Sequence, residues 1–258
     1  MHNTEVIECD FETFDPRGYL REYYLTIDVE NEQLLRFFID CYRDVPPRST
    51  LLEFGSGPTL YSLITAAARV DTIHVSDRLE RNLREIQLWQ RGAEAAFNWD
   101  PFIQRALELE GNSNVTRAAL QRRAELLRRK LTRFCLCDAF RSPPLHVNQI
   151  NAYDIVQVNF VPESITSSLA AWERAVQNIV SLLKPQGMFI LTALKQAVYY
   201  QVQEKKFPAV SIDEAVVIQT LRKCGFAEAD VLMQTIPASL PYRGYRGMMF
   251  IKAQSRRC

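Results

Sequence analysis

The chain has 258 residues, 31 Lys+Arg against 30 Asp+Glu for a formal net charge of +1, and 47% hydrophobic residues. That balance describes an ordinary globular protein long enough for a sizeable core. It excludes the basic surplus of a dedicated nucleic-acid binder, and no apolar run reaches the roughly 18 residues needed to cross a bilayer. The polar, acidic opening M-H-N-T-E-V-I-E-C-D is unlike a signal peptide, so the expected location is cytoplasmic, with no nucleic-acid or membrane partner. The cysteines are scattered. Cys135 and Cys137, one residue apart on a strand, suit neither a zinc ribbon nor a redox pair and read as core thiols, so no metal site is expected.

Asp15-Pro16 opens the first helix, an acceptor side chain followed by proline at the first helical position. This helix carries Tyr19, Tyr23 and Tyr24, which suit either a lid over a ligand or ordinary packing. A second helix over about 30–41 shows a broad apolar face, and Pro46-Pro47 ends it.

Residues 50–77 organise the rest. Leu51, Leu52 and Phe54 form an apolar strand that feeds the turn Gly55-Ser56-Gly57; a helix is expected from about Thr59, and a second strand ends in Asp77. Two glycines let the backbone turn sharply and leave a ligand only main chain to meet. An acid about 20 residues on is where such folds hold ribose hydroxyls. A dinucleotide site would want a third glycine near Leu60, and the chain has Pro58-Thr59-Leu60-Tyr61 there.

Leu79, Leu83, Ile86 and Trp89 then mark a helix by their spacing. Asp100-Pro101 starts another. The Arg- and Leu-rich run over 115–133 reads as a helix with a solvated basic face. A strand ending in Asp138 follows; an acid at this position is either a ligand contact or a cap for the next turn. Further strands are expected over 151–159 and 188–194, separated by a helix over 166–183 that a proline-glycine pair closes. Residues 196–208 read as irregular, Ser211 to Glu214 as a capping box, and runs over 229–236 and 248–253 as an edge hairpin. Strands alternating with helices imply a mostly parallel sheet covered on both faces. No repeat or linker divides the chain.

The pieces F-D-P-R-G-Y-L-R-E-Y-Y, E-F-G-S-G-P-T-L-Y, N-W-D-P, L-E-G-N, L-L-K-P-x-G and A-L-K-x-x-x-Y-Y occur in order over nearly the whole chain. Together they resemble the small-molecule amine methyltransferases that use S-adenosyl-L-methionine (SAM), a family that includes nicotinamide, phenylethanolamine and indolethylamine N-methyltransferases. The resemblance implies an α/β fold with a Rossmann-like, seven-stranded, mostly parallel sheet, an antiparallel edge strand and an N-terminal helical lid. One domain would span 1–258, with 1–45 as lid and 46–258 as core. Gly55, Ser56, Gly57, Thr59 and Tyr61 would hold the methionine part of SAM, Asp77 and Asn82 its ribose, Asp138 and Ala139 its adenine, and Tyr19 and Tyr24 would close over it. The acceptor would meet Asn159, Thr192, Gln196, Tyr200, Tyr242 and Arg243.

The acceptor side departs from the family. Thr192 stands where the nicotinamide enzyme has an aspartate, Gln196 at or beside the glutamate of the catecholamine enzyme, and Ala209 where a serine helps hold nicotinamide. Nicotinamide is therefore not the expected substrate. Glu163 and Asp213 are the remaining acids near the expected mouth. Glu163, with Tyr19, is the expected catalytic pair, though a surface or capping acid is the competing reading of Glu163. The expected reaction is an in-line displacement onto an amine nitrogen that releases S-adenosylhomocysteine, carried out by a monomer. Two alternatives stand beside it: an oxygen, acidic or zwitterionic acceptor held by Arg243 or Arg246, and a SAM-binding scaffold without turnover.

Overall fold

The structure is a computed structural model that describes residues 10–145, 150–239 and 243–255. Its strands are β1 (Thr50–Phe54), β2 (Thr72–Asp77), β3 (Leu131–Leu136), β4 (Tyr153–Asn159), β5 (Leu183–Lys195), β6 (Tyr199–Val202), β7 (Lys205–Pro208), β8 (Val231–Pro237) and β9 (Gly247–Gln254). The helices are α1 (Pro16–Tyr23), α2 (Val29–Tyr42), α3 (Leu63–Ala66), α4 (Glu80–Gln90), α5 (Asp100–Leu109), α6 (Arg117–Lys130), α7 (Leu169–Val180) and α8 (Glu214–Lys223).

Seven strands form one sheet in the order β3-β2-β1-β4-β5-β9-β8. The β1–β2, β1–β4, β2–β3 and β4–β5 pairs are parallel, and β9 runs antiparallel to both β5 and β8. The C-terminal hairpin thus closes one edge of a mostly parallel sheet, as the two apolar runs predict. Alternation along the strands splits the core in two. Leu51, Ile73, Ile155 and Ile190 face Leu35, Phe38, Ile86 and Phe102 on one side. Leu52, Val156, Leu191 and Ile251 face Trp172, Ile179, Val217 and Leu221 on the other. Cys41, Cys135 and Cys137 are buried free thiols in these cores.

Three local expectations change. The helix after β1 begins at Leu63, because two turns, at 57–58 and 61–62, precede it, and its four residues are all buried rather than amphipathic. The cap of α8 is Asp213, whose carboxylate accepts from Val216 N–H at 3.0 Å, two positions later than the capping box proposed. Residues 196–208 are not irregular: β6 and β7 pair as an antiparallel hairpin in which Tyr200 stacks on Phe207 at 5.0 Å. Among the described residues no helix is long and apolar enough to cross a membrane.

Candidate active site

The site grows from the end of β1. Gly55 (φ 68°) and Gly57 (φ 57°) both adopt the left-handed conformation that glycine takes without strain. A Cβ on Gly55 would lie 2.6 Å from Val161 Cγ2, whereas one on Gly57 would meet nothing within 4 Å and points into open space. The turn is tied down by Ser56 N–H to Ser76 O (2.9 Å) and by Thr59 Oγ1 to Ser56 O (2.8 Å).

Asp77 at the end of β2 is buried beside this turn. Its carboxylate accepts from Gly57 N–H (2.8 Å), Leu79 N–H (2.8 Å) and Asn82 Nδ2 (3.0 Å). Burial pushes the carboxyl above its usual range, and these three donors oppose that rise. The amide oxygen of Asn82 is buried with no partner among the described residues. Past β3, Asp138 caps its own turn through Phe140 N–H (2.9 Å), with Arg78 3.8 Å away. Ala139 is buried next to it.

The tyrosines of α1 form the opposite wall. Asp15 caps the helix, and Arg17 pins it through Glu85 (2.9 Å) and Ala95 O (2.9 Å). Tyr24 is buried, stacked on Tyr61 at 5.1 Å and 17°, and its hydroxyl lies 3.2 Å from that of the half-buried Tyr19. Tyr23 donates to Gln201 O in β6 at 2.5 Å, which links α1 to the β6–β7 hairpin. Burial holds the phenols of Tyr24, Tyr61 and Tyr200 well above the usual range, so all three stay neutral.

These walls enclose a cavity of about 310 Å³. Every residue expected to hold the cofactor lines it, as do Asn159, Tyr200 and Arg243 from the expected acceptor set. Arg243 lays its guanidinium over the Tyr23 ring at 4.5 Å. Beneath the floor runs a buried polar chain. Tyr42 donates to Gln157 (2.6 Å), Gln157 and Asn159 both donate to Glu53, and Thr192 donates to Asn159 Oδ1 (2.9 Å). Burial pushes Glu53 up to about 7, opposed by the donors on Asn159 and Gln157.

Several expected residues do not reach the cavity. Thr192 is buried behind Asn159 and holds it in place. Gln196 is exposed and outside the lining, as is Arg246. Glu163 is fully buried away from the lining, with Oε1 accepting from Leu194 N–H at 2.8 Å and Oε2 without a partner among the described residues. Burial pushes its carboxyl up to about 7. Tyr242 lies outside the described residues. Conversely, Glu30 and Tyr245 line the cavity without having been singled out from the sequence. They are 215 positions apart, and neither lies in a motif.

Residues 4–256 match the NNMT/PNMT/TEMT family. The chain belongs to that family. Indolethylamine N-methyltransferase of Oryctolagus cuniculus is 32% identical over 250 residues, covering 94% of each chain. Nicotinamide N-methyltransferase of Homo sapiens is 29% identical, covering 83% of this chain and 82% of that one. A Burkholderia thailandensis 1,6-didemethyltoxoflavin N1-methyltransferase, solved with that acceptor and S-adenosylhomocysteine, shares the fold. Its TM-score is 0.52 at 14% identity, over 93% of this chain and 84% of that one. As a member of the NNMT/PNMT/TEMT family, the chain is a SAM-dependent methyltransferase acting on a small molecule. The residues present fit that cofactor: the space over Gly57, the two oxygens of Asp77 and the unpartnered Asn82 oxygen form a cradle with acceptors for hydroxyl or amine donors.

Proposed function

We propose that the cavity binds SAM between the glycine turn, Asp77, Asn82 and Asp138, and presents its methyl group to a small-molecule amine against Tyr19, Tyr23 and Tyr200. The observation that carries this reading is one shared cavity. The Asp77 cradle and the tyrosine wall open into the same space, so a cofactor on one side meets an acceptor on the other.

SAM supplies an electrophilic methyl on a sulfonium, and the chain's own residues supply alignment and exclusion of water. Asp77 and Asn82 fix the ribose, Gly55 and Gly57 admit the methionine part, and Asp138 and Ala139 border the adenine. Tyr19, Tyr24 and Tyr61 seal the junction. Their neutral, electron-rich rings tolerate a positive charge as it passes from sulfur to nitrogen. The nitrogen attacks as the free amine, so its proton leaves to solvent before transfer. Within this reading the chain is one catalytic unit, 1–45 as lid and 46–258 as core, working as a monomer in the cytoplasm.

Incubation with methyl-labelled SAM and a panel of amines, phenols and carboxylic acids tests the proposal. Label on amines alone supports it; label on oxygen acceptors alone would sink it. Arg243 on the cavity wall favours a second reading, in which an anionic or zwitterionic acceptor forms a charge-assisted bond with the guanidinium. The carboxylic-acid arm of the panel reads that outcome.

A further inference from the structure

Glu30 is the second residue of α2, and its side chain forms part of the cavity wall while only 6% exposed. Its Oε1 accepts from Ser239 N–H at 2.7 Å and its Oε2 from the Tyr245 hydroxyl at 2.6 Å. No lysine or arginine forms an ion pair with it among the described residues. Both of its donors are neutral, so the buried carboxylate gains from a cationic donor that arrives. Each carboxylate oxygen has two acceptor positions, so two internal donors leave room for others.

Its surroundings indicate what could arrive. The sheet order sets Glu30 at the end of the cavity remote from Asp77, because its partners Ser239 and Tyr245 flank β9, which follows β5. Tyr23 and Tyr245 also line this end, and Asn31 donates to Tyr23 O at 3.1 Å. A carboxylate held by neutral donors recognises an organic ammonium by charge-assisted hydrogen bonding, and Arg243, whose guanidinium covers the Tyr23 ring, borders the same end of the cavity. Glu163, by contrast, has no access to this space.

We propose that Glu30 is the specificity-determining residue that binds the basic nitrogen of the acceptor, selecting protonated alkylamines over neutral isosteres. The inference rests on the amine reading above and adds the residue that enforces it. Glu30 collects and orients the ammonium; the nitrogen then gives its proton to water before the methyl is transferred.

The test uses the S-adenosylhomocysteine-saturated protein, titrated by calorimetry with 2-phenylethylamine, a cation near neutral pH, and with 2-phenylethanol, its neutral isostere. Glu30→Gln is expected to weaken amine binding by about ten-fold or more, the size of a charge-assisted hydrogen bond. Binding of the alcohol and of S-adenosylhomocysteine should be unaltered. Tyr245→Phe removes one internal donor but keeps the carboxylate, so the preference for amine over alcohol should survive. Equal losses for amine and alcohol, an unchanged amine affinity in Glu30→Gln, or no saturable amine binding to the wild-type complex would each overturn the assignment. Loss of S-adenosylhomocysteine binding in Glu30→Gln would also overturn it, leaving Glu30 as a tie between α2 and the β8–β9 loop. Failure of the wild type to bind S-adenosylhomocysteine would instead count against the broader reading.

Discussion

Asn82 donates to Asp77 at 3.0 Å and in doing so leaves its own amide oxygen buried without a partner beside the same carboxylate. Both side chains thus keep vacant acceptor positions, as the proposed ribose site requires. Asp77→Ala should weaken SAM binding by roughly 1.5–3 kcal/mol for each charged hydrogen bond lost. Calorimetry on the folded variant decides; an affinity equal to wild type would remove Asp77 from the cofactor site.

The two glycines of the turn should respond differently to alanine. At Gly55 the new methyl meets Val161 at 2.6 Å and the backbone is left-handed, so strain and overpacking add. At Gly57 only the left-handed backbone resists, costing on the order of 1 kcal/mol. Gly55→Ala should therefore lower the melting temperature more than Gly57→Ala. The reverse order would show that Val161 moves aside without cost.

Glu163 makes stability depend on pH. Burial raises its carboxyl to about 7 in the folded protein, against roughly 4.3 in an unfolded chain. The folded state therefore binds this proton more tightly. Its contribution to stability is full below the unfolded value and is lost as pH rises through about 7. Glu163→Gln keeps an oxygen for Leu194 N–H and carries no charge at any pH. Denaturant unfolding should show the variant gaining on wild type between about pH 5 and about pH 8, by at most ~1.4 kcal/mol per pH unit. A difference that does not vary with pH would contradict the raised value.

Tyr23→Phe removes the hydroxyl that reaches Gln201 O in the hairpin. A neutral hydrogen bond of this kind contributes about 0.5–1.5 kcal/mol, enough to loosen α1 without unfolding the core. Amide exchange should accelerate in α1 and β6 and remain unchanged in β1 and β4. Uniform acceleration would mean that the bond supports the whole fold.

What the sequence discloses about this site divides by chain separation. Gly55, Gly57 and Asp77 are recognisable because their backbone demands and spacing lie within one strand-turn-strand unit. Asp138 is recognisable because the end of a parallel strand is a place with known consequences. Glu30 carries no such signal: its role depends on Ser239 and Tyr245, brought to it only when β9 docks on β5. Glu163 illustrates the converse error. Just past β4 it stands at the right end of the sheet, yet the short helical turn at Pro162–Ser164 directs its carboxyl to Leu194 N–H, away from the cavity. The β6–β7 hairpin escaped notice because its turn contains no glycine; Gln203 takes up the positive φ of 56° instead.

The sheet order has a consequence for how such an enzyme changes trade. The wall around Asp77 is built from residues 54–82 and 137–140, while the opposite wall comes from residues 19–34, 194–200 and 243–248. The two sets share a cavity but no strand, and β4 stands between them in the sheet. On the proposed reading, mutational drift or directed evolution in the second set, with Tyr19 and Tyr24 kept, retunes what is methylated while the first set goes on handling the same methyl donor. Libraries intended to re-target the enzyme belong at α2 and the β8–β9 loop, with residues 50–82 left untouched.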